Sequence, residues 1–421
     1  MNSKTFSSAL AALTAFAPCV SLATFAPENT NTVAFVGRIL EYYHHGSDPA
    51  WGAKNPAQED AFAVLLPKDG PRGNAPLYVV LHSAGHSLQS CLDCLPKRNN
   101  HDIYTPPDDF YALYVDCRAN SKTDWWWGQS GKGLDETPVE RRILATVKWT
   151  VEKYGIDPNR VYLAGNSMGG SGALGIGLRH GDVFAAIKAN VPAGVIHASN
   201  RLGFVGAPTN AAERAAFDKA VAAIPDPPVL VDYAAPNDQW SKGHETFYAD
   251  LAKRRYAVLG FWGNFGHENA DVAIARRNDI IHAFAWTNLV RNAAYPVFTG
   301  ASCDSVIDFT FGAGKASAPG QVNGFFRWKN VVDAPGEVAL ELRLVTAEEL
   351  KSKFFTPPTT ATADVAIRRL QRFAVRPGEK VRWTFGSQMG EATVGDDRLL
   401  AVGRLTISTE GTVLSVKRLG Q

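Results

Sequence analysis

A serine between glycines, followed later by an aspartate and a histidine, is the pattern in this 421-residue chain that could do chemistry. The run Gly165-Asn166-Ser167-Met168-Gly169 follows the apolar residues 161–164 and opens a segment of small residues. A G-x-S-x-G run between a strand and a helix holds its serine on a strained turn, because the glycines let the two backbones approach. A hydroxyl group becomes a good nucleophile when a base takes its proton and a third group orients that base. We therefore predict that Ser167 is a nucleophile.

The base and the orienting acid are expected after the serine, because Ser, acid, His is the chain order of the α/β-hydrolase fold. Residues 228–231 read as a buried strand that leads into a polar loop with Asp238. Residues 256–262 read as a further strand that ends in a Gly-rich loop with His267. We predict that His267 is the general base and then the general acid, and that Asp238 orients it.

Other residues could fill these two roles. Asp232 is the alternative acid, but it falls inside the predicted strand, before the polar loop. His244 and His282 lie in helical segments, so structural or surface roles are expected for them. Asp238 could instead cap a helix or be a solvated carboxylate, and His267 could be an ordinary loop histidine.

Two backbone amides are needed to stabilise the negative oxygen that forms when a serine adds to a carbonyl group. One is expected from Met168, the residue after the nucleophile, and the other from the loop after an early strand. Residues 77–81 read as that strand. We predict the Ser83 amide as the second donor, with Ala84 as the alternative. We assign His82 to substrate contact or to orienting this loop rather than to proton transfer.

The segment before the serine has the pattern of a crossover unit in a mostly parallel sheet. Thr137-Pro138-Val139-Glu140 predicts a capping box at the start of a helix. Valine and isoleucine then recur at every fourth position up to Val151, and Gly155 fits the end of the helix. Helix, turn, strand, serine turn and helix follow one another, and together they predict an α/β fold.

From about Leu77 to Asn269 the chain resembles secreted esterases of the polyhydroxybutyrate depolymerase and feruloyl/acetylxylan esterase group, which is similar to carbohydrate esterase family 1. The matching pieces are the strand and His82 loop, the stretch from Arg118-Ala119-Asn120 to Trp125-Trp126-Trp127, residues 156–162, the serine turn and Gly266-His267. The resemblance implies serine carboxylesterase chemistry on an extracellular polymer. The serine turn and its helix are shared with the wider fold, including some serine peptidases. Many relatives carry His-Gly where this chain has His82-Ser83.

Three adjacent tryptophans, residues 125–127, cannot all face one side of a strand. We predict that Trp127 contacts the substrate, because an indole can stack on a sugar or on an aromatic acyl group. The alternative is that the tryptophans pack between the sheet and a helix.

Charge and composition exclude several classes of partner. The formal net charge is +2, which gives no electrostatic basis for binding nucleic acid or an anionic membrane. The chain has no Gly-rich phosphate loop and no clustered Cys/His metal pattern, so we expect no cofactor and no metal. No segment has the length of apolar residues that a membrane span needs.

Residues 1–23 have the pattern of a secretory signal peptide. Lys4 supplies a positive start, Ala9 to Leu22 is apolar, and Ser21-Leu22-Ala23 offers small residues for cleavage. We predict a secreted or periplasmic protein.

Removal of this segment leaves four cysteines, Cys91, Cys94, Cys117 and Cys303. An even number in an exported chain predicts up to two disulfides, in any of three pairings. A bond from Cys91 or Cys94 to Cys117 would brace the edge of the active site, and Cys303 could link two domains. A Cys91-x-x-Cys94 redox centre is the alternative.

The pattern changes near Tyr295-Pro296, where short β-like runs replace the alternation of strands and helices. The runs are 306–311, 325–328, 338–345, 365–367, 381–385, 405–408 and 413–417. About seven strands in some 120 residues predict a β-sandwich. We therefore predict a catalytic domain over 24–296 and an accessory domain over 297–421, which binds polysaccharide or packs on the first domain.

The leading hypothesis is a secreted serine carboxylesterase that removes acetyl or feruloyl groups from an ester-bearing polysaccharide or oligosaccharide. A polyester depolymerase of the polyhydroxyalkanoate type and a serine peptidase are alternatives with the same fold. A polysaccharide-binding protein without catalytic activity is the alternative from another class.

Overall fold

The computed structural model describes residues 25–46, 48–53, 60–97, 102–117, 126–127, 133–264, 266–267, 279–309 and 319–419. The predicted secretory signal, residues 1–23, lies outside this part of the chain. Within the described residues, no helix combines the length and the apolar character that crossing a membrane requires.

A ten-stranded sheet lies at the centre of the protein. Its strands are β1 (Glu28–Phe35), β2 (Arg38–His45), β3 (Asp60–Leu65), β4 (Leu77–Leu81), β5 (Tyr111–Val115), β6 (Val161–Asn166), β7 (Ala186–Asn190), β8 (Val229–Ala234), β9 (Val258–Trp262) and, from later in the chain, β11 (Gly320–Val322). They follow the order β1-β2-β3-β5-β4-β6-β7-β8-β9-β11. The six strands from β5 to β9 in this order pair in parallel, and the outer strands pair antiparallel.

Helices connect the parallel strands, as a crossover between parallel neighbours requires. They are α1 (Leu88–Lys97), α2 (Pro138–Tyr154), α3 (Met168–Gly172), α4 (Val195–Arg201), α5 (Ala211–Ala222), α6 (His244–Lys253), α7 (Asp279–His282) and, in the C-terminal region, α8 (Ala347–Leu350). The predicted capping box is confirmed, because the Thr137 side chain accepts from the Glu140 amide while Glu140 accepts from the Thr137 amide. Gly155 ends α2 in the left-handed conformation, with φ of 61°.

The central strands are mostly apolar because both faces of the sheet are covered. Every residue of β4, β6, β7 and β8 is buried. The carboxyl ends of parallel strands lie at one edge of a sheet, so the loops that follow β4, β6, β8 and β9 meet there. Those loops carry His82-Ser83, Ser167, Asp238 and His267.

Two antiparallel sheets form the C-terminal region. One contains β10 (Tyr295–Thr299), β14 (Thr360–Arg368) and β17 (Leu400–Ser408). The other contains β12 (Phe326–Ala334), β13 (Glu337–Leu344), β18 (Thr412–Arg418), β15 (Lys380–Phe385) and β16 (Gln388–Thr393). The α/β-hydrolase fold with a mostly parallel sheet, followed by antiparallel sheets, is therefore confirmed.

The predicted strand over 306–311 is wrong for the residues that the structure describes. Residues 305–309 are not in a strand, and 310–311 lie outside the description. Val306 is 88% exposed, whereas Phe309 is buried and stacks on His244 with ring centroids 5.7 Å apart. Phe309 packs against His244 at the start of α6, and residues 305–309 pair with no neighbouring strand.

Candidate active site

Ser167 lies on the turn between β6 and α3, with φ of 56° and ψ of −115°. A positive φ is strained for a residue with a side chain and persists where the surroundings impose it. The flanking glycines make room for this turn. A Cβ atom on Gly169 would lie 2.0 Å from the Leu81 carbonyl oxygen, and one on Gly165 would lie 1.9 Å from the Gly169 carbonyl oxygen.

The three side chains predicted as a catalytic triad form one hydrogen-bonded chain. The Ser167 Oγ and the His267 Nε2 lie 2.7 Å apart. On the other side of the ring, the His267 Nδ1 lies 2.6 Å from the Asp238 Oδ2. This geometry lets the serine donate its proton to Nε2 while the aspartate holds the proton on Nδ1.

Backbone contacts fix the acid and the histidine in place. Asp238 is 2% exposed, and its carboxylate also accepts from the Trp240 amide at 2.9 Å. The amide of Gly266, just before the histidine, donates to the Asn237 side chain at 2.8 Å. The His267 side chain is 31% exposed, so solvent and substrate can reach the ring.

The alternative acid has other partners. Asp232 is fully buried and accepts from the Tyr248 hydroxyl at 2.5 Å. The His244 Nε2 lies 3.4 Å from the same carboxylate, and its Nδ1 lies 3.0 Å from the Ser241 carbonyl oxygen. These residues fasten α6 to β8, which agrees with the structural role expected for His244. His282 lies in α7.

The amide predicted as the second oxyanion donor is already engaged. The Ser83 amide donates to the Tyr104 hydroxyl at 2.9 Å, so it cannot also point at a substrate oxygen. Among the described residues, the amides of Met168 and Ala84 donate to no acceptor. Ala84, the alternative donor, is exposed on the turn that follows β4.

His82 does not reach a substrate, contrary to its assignment as a binding residue. The residue is 2% exposed, and its Nδ1 lies 2.8 Å from the Ser83 carbonyl oxygen. The amide of Cys117 donates to its Nε2 at 3.2 Å, and the Trp126 indole donates to its carbonyl at 3.1 Å. His82 therefore holds the loop after β4 against the end of β5.

The prediction that Trp127 contacts substrate is wrong. Trp126 and Trp127 have no exposed surface. A Cβ atom on Gly175 would lie 2.4 Å from the Trp127 ring, and the Thr137 hydroxyl donates to the Trp127 carbonyl. Both indoles are core residues because small residues after the serine leave space for them. Trp125 lies outside the described residues.

Sequence reasoning missed two exposed apolar side chains, Trp240 two positions after Asp238 and Ile196 in α4. Trp240 is 53% exposed and Ile196 is 49% exposed. The Gly194 amide donates to the Trp240 carbonyl at 3.1 Å, which joins the acid loop to the start of α4. The sequence signal was a tryptophan two positions after the acid, in a loop at the carboxyl edge of the sheet.

The four cysteines outside the predicted signal are free thiols, contrary to the disulfides expected from their number. Cys91 is buried in α1, and burial raises the pKa of its thiol. A thiol that stays protonated is a poor nucleophile, so this environment also disfavours a redox role for Cys91 and Cys94. No group of three or more His, Cys, Asp or Glu side chains within the described residues is arranged to hold a metal ion.

One family model matches the chain. It is that of the prolyl oligopeptidase family (Peptidase_S9), and it matches residues 100–199. The matched segment contains Ser167 but neither Asp238 nor His267. The comparison with curated proteins found no match.

Solved structures similar to this chain include several hydrolases. The acetyl xylan esterase from Paenibacillus sp. R4 is 12% identical, with 60% of this chain and 86% of that chain covered and a TM-score of 0.40. An S-formylglutathione hydrolase from Agrobacterium tumefaciens is 14% identical, with coverages of 57% and 92% and a TM-score of 0.40. A ferulic acid esterase is 14% identical, with coverages of 54% and 91% and a TM-score of 0.36. The parallel sheet, the serine turn between β6 and α3 and the family match together place the chain in the α/β-hydrolase fold.

Proposed function

We propose that this protein is a serine carboxylesterase that works through an acyl-enzyme intermediate. The observation that carries the proposal is the continuous hydrogen-bonded chain from Ser167 through His267 to Asp238. Such an arrangement on a strained turn, beside two amides without an acceptor among the described residues, is what acyl transfer requires.

The reaction then proceeds in two displacements. The Ser167 Oγ attacks the ester carbonyl carbon while its proton passes to the His267 Nε2, and the carbonyl electron pair moves to the oxygen. As the carbonyl re-forms, the bond to the alcohol breaks and the leaving oxygen takes the proton from His267. Water attacks the acyl-enzyme by the same route, which releases the acid and restores the Ser167 hydroxyl.

The developing negative charge on oxygen needs two donors. We assign these to the amides of Met168 and Ala84. Met168 directly follows the nucleophile, and Ala84 replaces Ser83 in this proposal because the Ser83 amide is bound to Tyr104.

We further propose that the substrate is an acetyl or feruloyl ester on a polysaccharide. Trp240 and Ile196 are exposed, and the Trp240 amide donates to the triad acid Asp238, so we assign them an apolar surface for a flat ring, either a sugar or an aromatic acid. The half-exposed histidine suits an ester on a large polymer because an open site admits it. Export from the cell, proposed from the pattern of residues 1–23, would bring the enzyme to such a substrate.

A serine peptidase is the second candidate, because residues 100–199 match the model of the prolyl oligopeptidase family. Peptide hydrolysis uses the same nucleophile and differs in the leaving group, which is an amine. The same substrate panel therefore separates the two candidates and also tests polyester depolymerisation.

The test compares the purified chain with its Ser167→Ala variant on a short-chain aryl acetate, methyl ferulate, acetylated xylan, a polyhydroxybutyrate film and a peptide anilide. We expect ester turnover that falls by about 10³-fold or more in the variant, because removal of a serine nucleophile costs that much or more. Ser408→Ala, which removes the same atom from β17, is the matched control and should keep full activity.

Each other outcome selects a different function. Preferred cleavage of the anilide would favour the peptidase, and release of soluble products from the film would favour the depolymerase. Absence of turnover, or equal turnover by the protein and its Ser167→Ala variant, would reject the mechanism and leave carbohydrate binding as the leading hypothesis.

A further inference from the structure

The hydroxyl of Ser83 connects the oxyanion loop, residues 82–85, to the residue before the nucleophile. The Asn166 side-chain amide donates to the Ser83 Oγ at 2.8 Å. The same Oγ also donates to the backbone carbonyl oxygen of Asn166 at 3.1 Å. Ser83 is 6% exposed and Asn166 is 1% exposed, so these bonds are shielded from water.

Tyr104 binds the same serine twice. Its hydroxyl accepts from the Ser83 amide at 2.9 Å and lies 2.9 Å from the Ser83 Oγ. The Asn166 carbonyl can only accept, so the single Ser83 hydroxyl proton points to it. The Tyr104 hydroxyl is then the donor in its contact with the Ser83 Oγ.

The backbone that carries Tyr104 is itself held by two buried tyrosines. The Tyr114 hydroxyl donates to the Tyr104 carbonyl at 2.8 Å, and the Tyr78 hydroxyl donates to the Ile103 carbonyl at 2.8 Å. Tyr104 and Tyr114 are at most 1% exposed, and Tyr78 is 4% exposed. Burial raises the pKa of the Tyr104 hydroxyl, so this group stays protonated and remains a donor.

We infer that Tyr104 is a positioning residue that sets the direction of the Ala84 amide by fixing Ser83 at both its amide and its hydroxyl. The inference rests on the proposed function, in which Ala84 is an oxyanion donor. Ala84 directly follows Ser83, so the peptide plane that carries its amide is anchored at Ser83. The side chain of Ser83 supplies the oxygen that this anchoring uses.

Tyr104→Phe tests the inference, because it removes the hydroxyl oxygen and keeps the ring. We expect kcat for an ester to fall about 10- to 100-fold, since a misplaced catalytic group costs up to about 10²-fold. KM should stay within about twofold, because the oxyanion contact forms in the transition state rather than in the bound ester. Affinity for an alkyl boronic acid, whose adduct with Ser167 places an oxygen in the oxyanion site, should fall by a factor similar to that for kcat.

Tyr162→Phe is the matched control. Its hydroxyl is lost from a buried tyrosine on β6 that donates to the Leu289 carbonyl at 2.7 Å, away from the oxyanion loop. It should lower the melting temperature and leave both kcat and the boronic acid affinity unchanged. Ser83→Ala should lower kcat as well, and the double variant with Tyr104→Phe should lose less than the product of the two single losses.

Equal kcat and equal boronic acid affinity in Tyr104→Phe and the unmodified protein would overturn the inference. If Tyr104→Phe does not fold, Ser83→Ala alone decides, and an unchanged kcat there overturns it. If the unmodified protein has no ester turnover, the proposed function fails first. Crystal structures of the unmodified protein and of Tyr104→Phe then test the positioning role by itself. An Ala84 amide that moves by less than about 0.5 Å between them contradicts that role.

Discussion

Ser167 depends on two side chains that are distant from it in sequence. His267 lies 100 positions after Ser167 and 29 positions after Asp238, yet the three form one hydrogen-bonded chain. Each sits in a loop at the carboxyl edge of a parallel strand, which brings them together. Their catalytic roles remain predictions that substitution can test.

Asp238→Asn should lower kcat by about 10⁴-fold with little change in stability. The amide keeps the size of the carboxylate but cannot hold the Nδ1 proton of His267 with a negative charge, and such a change costs about that factor in a serine protease. Steady-state kinetics on methyl ferulate and thermal melts measure the two effects. Asp232→Asn is the control, and it should lower the free energy of unfolding rather than kcat. The reverse pattern would make Asp232 the acid.

Trp240→Ala should weaken the binding of substrates that carry a flat ring. We expect KM for methyl ferulate or an acetylated xylo-oligosaccharide to rise about 2- to 10-fold, since an aromatic contact contributes about 0.5–1.5 kcal/mol. Vinyl acetate, which carries no ring, should keep its KM. Phe354→Ala, at an exposed position of the C-terminal region, is the control. An equal rise in KM for all three esters would argue against a ring-binding surface. If KM rises more for methyl ferulate the bound ring is aromatic, and if it rises more for the xylo-oligosaccharide the bound ring is a sugar.

At the scale of elements, the connection between β10 and β11 carries a carboxyl group in a partly buried turn. The Asp304 Oδ1 accepts from the Asn323 amide at 2.8 Å, and Asn323 in turn donates to the Val258 carbonyl of β9 at 3.0 Å. Burial raises the pKa of Asp304 to about 7, well above the usual range of an aspartate. The folded protein therefore holds this proton more tightly than the unfolded chain does.

This difference in proton binding makes the free energy of unfolding depend on pH. Asp304 should reduce the free energy of unfolding as the pH rises from about 4 to about 7, because the folded state keeps the proton that the unfolded chain loses. Asp304→Asn keeps the size and the acceptor without the charge, so it should be more stable than the unmodified protein at pH 8 and similar to it near pH 4. Urea unfolding at the two pH values measures this difference. The exposed Asp396→Asn should show none, and a difference for Asp304→Asn that does not change with pH would contradict the assignment.

In the protein as a whole, more than a linker joins the C-terminal region to the α/β region. β11 pairs with β9 at the edge of the central sheet. Arg369 is 5% exposed, and its guanidinium donates to the carbonyls of Gly181, Phe184 and Ala185 at 2.8–3.0 Å. The division at residue 296 remains a prediction, but residues on both sides of it share the central sheet.

Arg369→Met should lower the free energy of unfolding by about 2–5 kcal/mol. It removes a buried guanidinium and leaves carbonyl groups without their donor, a loss that costs about 1–3 kcal/mol for each buried group. Chemical denaturation measures the change, and KM should stay the same because the contact lies away from the triad. Arg372→Met, at an exposed position nearby, should change stability by no more than about 0.5 kcal/mol. Equal effects of the two substitutions would show that the interface does not depend on Arg369.

Local patterns in the sequence predicted the local features of this protein. The capping box before α2, the strand, turn and helix around Ser167 and the order of Ser167, Asp238 and His267 all follow from neighbouring residues or from chain order. Each depends on interactions within a few positions or on the fixed direction of parallel strands. Sequence patterning therefore sufficed for the fold class and for bringing these three residues to one edge.

Tertiary packing decided the features that depend on distant neighbours. Trp127 is buried and Trp240 is exposed, although both are tryptophans in loops at the same edge of the sheet. The Ser83 amide turns to Tyr104, and the four cysteines remain thiols. Exposure and hydrogen-bond direction are set by which atoms fill the surrounding space, and those atoms come from segments far away in sequence. Residue type and spacing alone do not specify which atoms fill that space. This is why they predicted the hydrogen-bonded chain of Ser167, His267 and Asp238 but not the groups that surround it.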